Sequence, residues 1–109
     1  MKIETTVKFE PIVIKEAVAK AGERFTLRFK AVDTKSGNAM SDVKDITVLA
    51  FLAPGIWQHR DAATAVAGGV YEMNFVPPEP GVYYIFFQSP SLGIQFNDLL
   101  PLTLQVVKP

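Results

Sequence analysis

Residues 69–85 read GVYEMNFVPPEPGVYYI, and this stretch says most about the fold. Over residues 71–75 large apolar side chains alternate with more polar ones, which is the period of a half-buried strand. Residues 77–81 form a rigid corner, because proline rings hold the backbone near the polyproline angle. Residues 82–87 are apolar on both faces, which is typical of a central strand in a covered sheet.

Strand patterns of the same kind occur on both sides of this stretch. Alternating segments lie at residues 3–9, 25–31 and 102–106, and residues 43–52 are apolar on both faces. No segment has a convincing helical period, and a weak strand near residues 62–66 stays open. The pattern predicts an all-β sandwich of about seven strands in two packed antiparallel sheets.

The composition fits one folded domain. The chain has 109 residues, of which 49% are hydrophobic, and this excludes a disordered tail. Eleven acidic and eleven basic residues balance, whereas a nucleic-acid-binding protein normally shows a basic excess. Cysteine is absent, which excludes disulfides, thiolate zinc sites and cysteine nucleophiles. We therefore predict a single domain over residues 1–109, without a disulfide and without nucleic-acid binding.

The two ends of the chain leave its context open. The strand pattern runs from residue 3 to residue 107, which fits a domain cut from a longer chain as well as a short complete protein. Residues 1–6 lack the apolar segment of a signal peptide. The longest apolar stretch, residues 48–54, is far too short to cross a bilayer, so we expect no membrane span in this chain.

The opening stretch resembles the E–F corner of immunoglobulin-like sandwiches. Gly81 and Tyr83 look like the tyrosine corner, in which the tyrosine hydroxyl bonds back to the nearby backbone. By that resemblance, Ile85 stands where an antibody domain has its second cysteine. The missing disulfide and the position of Trp57, after the third strand rather than within it, depart from antibody domains. The resemblance therefore implies an immunoglobulin-like sandwich outside the antibody group.

A closer resemblance is to the bacterial YtkA-like and FixH-like modules, which show the pattern G-x-Y-x-x-x-F-x-P-x-x-x-G-x-Y. The matching residues are Gly69, Tyr71, Phe75, Pro77, Gly81 and Tyr83. Such modules are accessory rather than catalytic, and they are periplasmic or exposed at the cell surface. The resemblance therefore implies the same activity class and location for this chain.

The first candidate site is a polar segment around the single histidine. His59, Arg60 and Asp61 could bind a ligand, and a soft copper site could recruit Met40 or Met73. The alternative is a solvated loop histidine, which we favour because a metal needs three or four converging ligands. We accordingly predict no metal and no other cofactor.

Catalytic constellations are missing from the sequence. No serine lies in a G-x-S-x-G elbow, and no glycine-rich loop precedes a helix. Asp42 and Asp45 could serve as paired carboxylates, although turn carboxylates more often bond to the backbone. We therefore predict that the chain is not an enzyme.

The second candidate site consists of apolar residues in two connections. Ile56 and Trp57 follow the third strand, and Leu92, Ile94 and Phe96 lie in the long connection before the last strand. Each group either closes an end of the sandwich or docks a partner. In an immunoglobulin-like topology the two connections lie at opposite ends, so we expect two separate apolar patches.

The function that fits these features is that of an accessory interaction module in a larger bacterial extracytoplasmic protein. It would dock a neighbouring domain of the same chain, or another protein, through the apolar loops. Weak association between copies is compatible with the same loops. The alternative is a module that binds carbohydrate or copper through residues 54–61.

Overall fold

The structure is a computed structural model that describes residues 7–12, 19–41, 43–52, 57–98 and 101–109. Nine strands lie within these ranges. They are β1 (Val7–Pro11), β2 (Ala19–Lys20), β3 (Phe25–Asp33), β4 (Thr47–Leu52), β5 (Trp57–Ala62), β6 (Thr64–Val66), β7 (Val70–Phe75), β8 (Gly81–Gln88) and β9 (Leu102–Val107). Short 3₁₀ turns occupy Ala67–Gly69 and Pro90–Leu92.

The strands form two sheets. The four-stranded sheet has the order β1-β3-β7-β6, and the five-stranded sheet has the order β2-β9-β8-β4-β5. Neighbouring strands are antiparallel except β2 and β9, which are parallel. The chain thus changes sheets between β1 and β2. The all-β, immunoglobulin-like sandwich without a disulfide that the sequence predicts is confirmed.

The core lies between the two sheets and is rich in aromatic rings. Phe87 of β8 stacks on Phe9 of β1 at 4.7 Å and meets the edge of Phe29 of β3 at 4.8 Å. Phe29 and Tyr83 are completely buried. Burial of a large apolar side chain stabilises a fold by about 1.5–3 kcal/mol, so these rings supply much of the adhesion between the sheets.

The predicted strands at residues 25–31, 43–52, 71–75, 82–87 and 102–106 correspond to β3, β4, β7, β8 and β9. Strands β4 and β8, which are apolar on both faces, lie inside the five-stranded sheet as that pattern predicts. Strand β2 was not predicted, because two residues are too few for a period to show.

The polar segment after the third predicted strand is strand β5 and not a loop. Trp57 and His59 are half-buried, whereas Gln58 and Arg60 are exposed, which is the alternation of a strand at a sheet edge. This strand was not recognisable from the sequence because most of its residues are polar and Asp disfavours strands. Pairing with β4 holds the segment extended.

Candidate functional site

The tyrosine corner has the hydrogen bonds that the Gly81–Tyr83 pattern predicts. The Tyr83 hydroxyl donates to the carbonyl of Glu79 at 2.7 Å and accepts from the Glu79 N–H at 3.2 Å. Gly81 has a φ of 145°, and a Cβ there would lie 3.2 Å from Cδ1 of Leu52. The corner therefore needs both a hydroxyl at Tyr83 and the absence of a side chain at Gly81.

A second tyrosine makes a similar anchor, which the sequence reasoning missed. The Tyr71 hydroxyl donates to the carbonyl of Met40 and accepts from the N–H of Val43 at 3.1 Å. It ties the β3–β4 connection to β7. The only sequence signal was a tyrosine at an inward position, where a buried hydroxyl requires a partner.

Trp57 closes the open side of the sandwich beside the tyrosine corner. Its ring meets the edge of Tyr83 at 5.6 Å and lies tilted against Phe75 at 5.7 Å. The side chain is therefore half-buried against the core rather than projecting into solvent. Ile56, its predicted companion, lies outside the described residues.

His59 lies on the inward side of β5, next to Trp57. Its ring stacks on Trp57 at 6.0 Å and on Phe75 at 6.2 Å. The Nε2 atom is buried without a hydrogen-bond partner among the described residues, and the nearest carboxylate, that of Asp61, lies 3.9 Å away. Asp61 instead accepts a hydrogen bond from the N–H of Ala62 at 2.8 Å.

Arg60 points away from the other two ligand candidates. Its guanidinium lies over the ring of Phe96, 5.2 Å from the centroid, on the outer side of the sheet. His59 and Asp61 share the inward side of β5, so the three predicted ligand residues do not converge. Within the described ranges, no three His, Cys, Asp or Glu side chains form a group that could hold a metal ion.

The apolar residues of the β8–β9 connection differ in how deeply they are buried. Ile94 is 3% exposed and belongs to the core, so it is a packing residue rather than a contact residue. Leu92 is half-buried and packs against the same core. Phe96 is half-buried beneath Arg60. Leu92 and Phe96 both keep part of their surface accessible. Phe96 contacts Arg60, whereas Trp57 contacts Tyr83.

A serine and carboxylate cluster holds this connection in place. Asp45 Oδ1 accepts hydrogen bonds from the hydroxyls of Ser89 and Ser91, each at 2.7 Å, and Oδ2 accepts the N–H of Ser91 at 2.7 Å. The hydroxyls of Ser91 and Ser89 hold the pKa of Asp45 below its usual range. These bonds fix the connection to Asp45, and the bond from the Ser91 N–H is the backbone contact expected of a turn carboxylate. Asp42 lies outside the described residues.

The outer faces of the two sheets differ in chemistry. On the four-stranded sheet Arg28 pairs with Glu72 at 3.2 Å, and the hydroxyl of Thr26 bonds to Asn74. On the five-stranded sheet two apolar cross-strand pairs lie side by side on β4 and β8. They are Leu49 opposite Phe86 and Phe51 opposite Tyr84, all half-buried, and we call these four residues the aromatic face.

No protein-family model matches this chain, and no curated protein matches its sequence. The fold is similar to that of the Lin-41 filamin domain, with a TM-score of 0.68 over 96% of this chain and 95% of that chain. The two are 13% identical, so the similarity shows the fold alone. The resemblance to YtkA-like and FixH-like modules is thus confirmed for the immunoglobulin-like fold, and membership of that family stays a prediction.

Proposed function

We propose that this chain is a noncatalytic protein-interaction module that docks a partner on its aromatic face. The main support is the contrast between the outer faces of the two sheets. The face of the four-stranded sheet is polar, whereas that of the five-stranded sheet is apolar at four adjacent positions. An outward residue in a strand needs no large apolar side chain for folding, because the alternate residues already supply the core. A contiguous apolar surface on a folded domain marks an interaction site.

The surroundings of the aromatic face support the same proposal. Val82 on β8 and Val107 on β9 extend it and are 40% and 36% exposed. Arg60 and Phe96 lie at its border on β5 and the β8–β9 connection. Interfaces typically combine an apolar aromatic centre with a polar rim that contains arginine. The partner is a neighbouring domain of the same polypeptide or another protein.

The absence of catalysis is part of the proposal. Ser89 and Ser91 donate to Asp45, and His59 stacks on Trp57, so neither of these serines is paired with the histidine. Among the described residues no helix is long and apolar enough to cross a membrane. A periplasmic or cell-surface location, which the YtkA-like resemblance implies, belongs to the same proposal, and fractionation of the source cells tests it.

Site-specific photo-crosslinking tests the docking surface. A photoreactive phenylalanine placed at Phe86 in the full-length natural protein should crosslink to one defined partner segment. The matched control carries the same group at Asn74, on the polar outer face of the other sheet. Equal crosslinking from both positions, or none from Phe86, would contradict docking on the aromatic face.

Ligand binding is a second candidate, and one observation favours it. The Nε2 atom of His59 lacks a hydrogen-bond partner among the described residues, and a polar ligand at the β5 edge would supply one. Copper titration read by the proton shifts of His59, together with a glycan array, tests this candidate. Unchanged proton shifts of His59 together with no binding on the glycan array would contradict ligand binding at this site.

A further inference from the structure

The free edge of β5 offers a surface of a different kind. Strand β5 pairs with β4 on one side, and no strand in the described part of the chain covers its other side. Such an edge presents unpaired N–H and C=O groups to another extended segment. We propose that two copies of this chain join through antiparallel pairing of their β5 edges, which merges the two five-stranded sheets into one.

Every second residue of β5 turns its backbone groups toward the free edge. The Ala63 N–H donates to the carbonyl of Ile46 at 2.8 Å, in continuation of the β4–β5 register. Hydrogen-bonded and non-hydrogen-bonded pairs alternate in an antiparallel ladder, so the even-numbered residues face away from β4. The outward residues are Gln58, Arg60 and Ala62. The N–H of Ala62 agrees with this, since it donates to the side chain of Asp61.

The other edge strands are poorer sites for pairing. On β1 the N–H of Ile12 donates to Arg28, and the same alternation places Pro11, which has no N–H, at a free-edge position. Strands β2 and β6 have two and three residues. Strand β5 has six residues in continuous register, without proline or a bulge, which are two of the usual protections of an edge. Its charged residues, Arg60 and Asp61, are a third kind of protection.

Only one symmetric register uses all three outward residues within β5. It places Arg60 opposite Arg60 of the second copy, and Gln58 opposite Ala62 of the second copy on either side. Each hydrogen-bonded pair exchanges two bonds, so this register forms about six backbone hydrogen bonds. Inward residues meet inward residues, which keeps the cores of both copies on the same side of the merged sheet.

The same register brings complementary side chains together. His59 lies opposite Asp61 of the second copy, and this pair occurs twice. An imidazole N–H can donate a hydrogen bond to a carboxylate directly opposite it, and such cross-strand polar pairs stabilise a sheet. The carboxylate would leave the N–H of Ala62, which pairs with Gln58 of the second copy, and would reach an imidazole whose Nε2 has no partner within the described chain. Hydrogen-bonding complementarity between these side chains therefore follows from the backbone geometry.

One contact opposes this register. Two Arg60 side chains would face each other at the symmetry axis, and like charges directly opposite destabilise a sheet. The structure holds each guanidinium over Phe96 of its own copy, 5.2 Å from the ring centroid. This cation–π contact draws the charge toward the β8–β9 connection and away from the axis.

Analytical ultracentrifugation and amide hydrogen exchange on the whole chain test the proposal. The weight-average mass should rise with concentration toward twice that of one chain. Over the same range the N–H of Arg60 should change from fast to slow exchange. The N–H of His59, which the alternation directs toward β4, serves as the internal control and should be protected throughout. A constant monomer mass with fast exchange at Arg60 would overturn the proposal.

Two variants separate the edge from other surfaces. Arg60→Pro removes an outward N–H while leaving the ladder to β4. Asp61→Lys removes the carboxylate that would accept a hydrogen bond from His59 of the second copy. Both should abolish the mass increase, whereas Glu23→Lys, the same charge change in the exposed turn after β2, should not. Asp61→Lys keeps the test valid if Arg60→Pro fails to fold. Dimers that form with both variants would also overturn the proposal. The crosslinking experiment at Phe86 tests the aromatic face independently of the β5 edge.

Discussion

Phe86 and Phe87 are consecutive residues of β8 that lie on opposite sides of one sheet. Phe87 is 3% exposed and packs against Phe9 and Phe29 in the core. Phe86 lies on the outer face, opposite Leu49 of β4. The two rings are chemically identical, so their different positions separate what the fold needs from what is left for a partner.

This difference predicts opposite responses to truncation. Phe87→Ala should lower the free energy of unfolding by about 3–5 kcal/mol, because it opens a cavity between the sheets. Phe86→Thr should change it by less than about 1 kcal/mol, because threonine is accepted on an outer strand face. Urea denaturation of both variants measures the difference. A large loss for Phe86→Thr would mean that the aromatic face is part of the fold and not a docking surface.

The hydrogen bonds of the tyrosine corner predict how much stability the Tyr83 hydroxyl contributes. Tyr83→Phe should lower the free energy of unfolding by about 1–2 kcal/mol, because the N–H and C=O of Glu79 lose their partner. Tyr84→Phe, one residue later on the outer face, is the matched control and should have almost no effect. Equal midpoints in urea for the two variants would contradict the structural role of the Tyr83 hydroxyl.

A side chain at position 81 should lower the free energy of unfolding for two reasons. Gly81→Ala combines an unfavourable positive φ with a Cβ 3.2 Å from Leu52, so we expect a loss of about 1–3 kcal/mol. Gly93→Ala has a φ of 70° and no neighbouring atom within 4 Å of the added Cβ. It should therefore cost only the backbone strain, about 1 kcal/mol. Thermal melts should rank the wild type above Gly93→Ala, and Gly93→Ala above Gly81→Ala.

The Asp45 clamp predicts a pH-dependent contribution to stability. Its pKa is lowered in the folded chain by the hydroxyls of Ser91 and Ser89, so the folded state favours the ionised carboxylate. The contribution is complete above the unfolded pKa of about 3.9 and is lost as the pH falls through the lower folded value. Asp45→Asn should therefore be less stable than the wild type at pH 7, by about 1–2 kcal/mol for hydrogen bonds that solvent partly screens.

Urea titrations from pH 7 down to pH 3 measure this contribution. The stability difference between the wild type and Asp45→Asn should shrink as the pH falls below about 4. Glu23→Gln, an exposed carboxylate in a turn, is the control and should match the wild type across the range. A difference that stays constant with pH would assign the effect of Asp45 to packing instead of charge.

The sequence was most informative where each strand buries alternate residues. The central strands β4 and β8 and the tyrosine corner followed from local pattern, because two-sided apolar strands and the Gly-x-Tyr spacing have few other uses. Strand β5 could not be recognised, since its polar residues are extended only because β4 pairs with them. Its open edge is a property of the sheet order, which no local pattern contains.

The candidate site was predicted less well than the fold for a similar reason. Ile94 and Phe96 belong to one apolar connection, yet one is buried in the core and the other lies beneath Arg60. Two reciprocal hydrogen bonds between Ser89 and Ile94, at 2.9 and 3.0 Å, decide that division. Ser89 and Ile94 can both be read from the sequence, but their pairing depends on how the connection folds.

The parallel pairing of β2 with β9 also has a mechanical consequence. Ala19 pairs with Val106 and Lys20 with Val107, and the N–H of Ala21 donates to the carbonyl of Val107 at 3.0 Å. A tension that pulls on the chain before β2 and after β9 runs along these two strands in opposite directions. The bonds are then stressed together in shear, whereas an antiparallel pair pulled at one end would unzip bond by bond. Within a tethered polypeptide, this small ladder would act as a clasp that resists stretching.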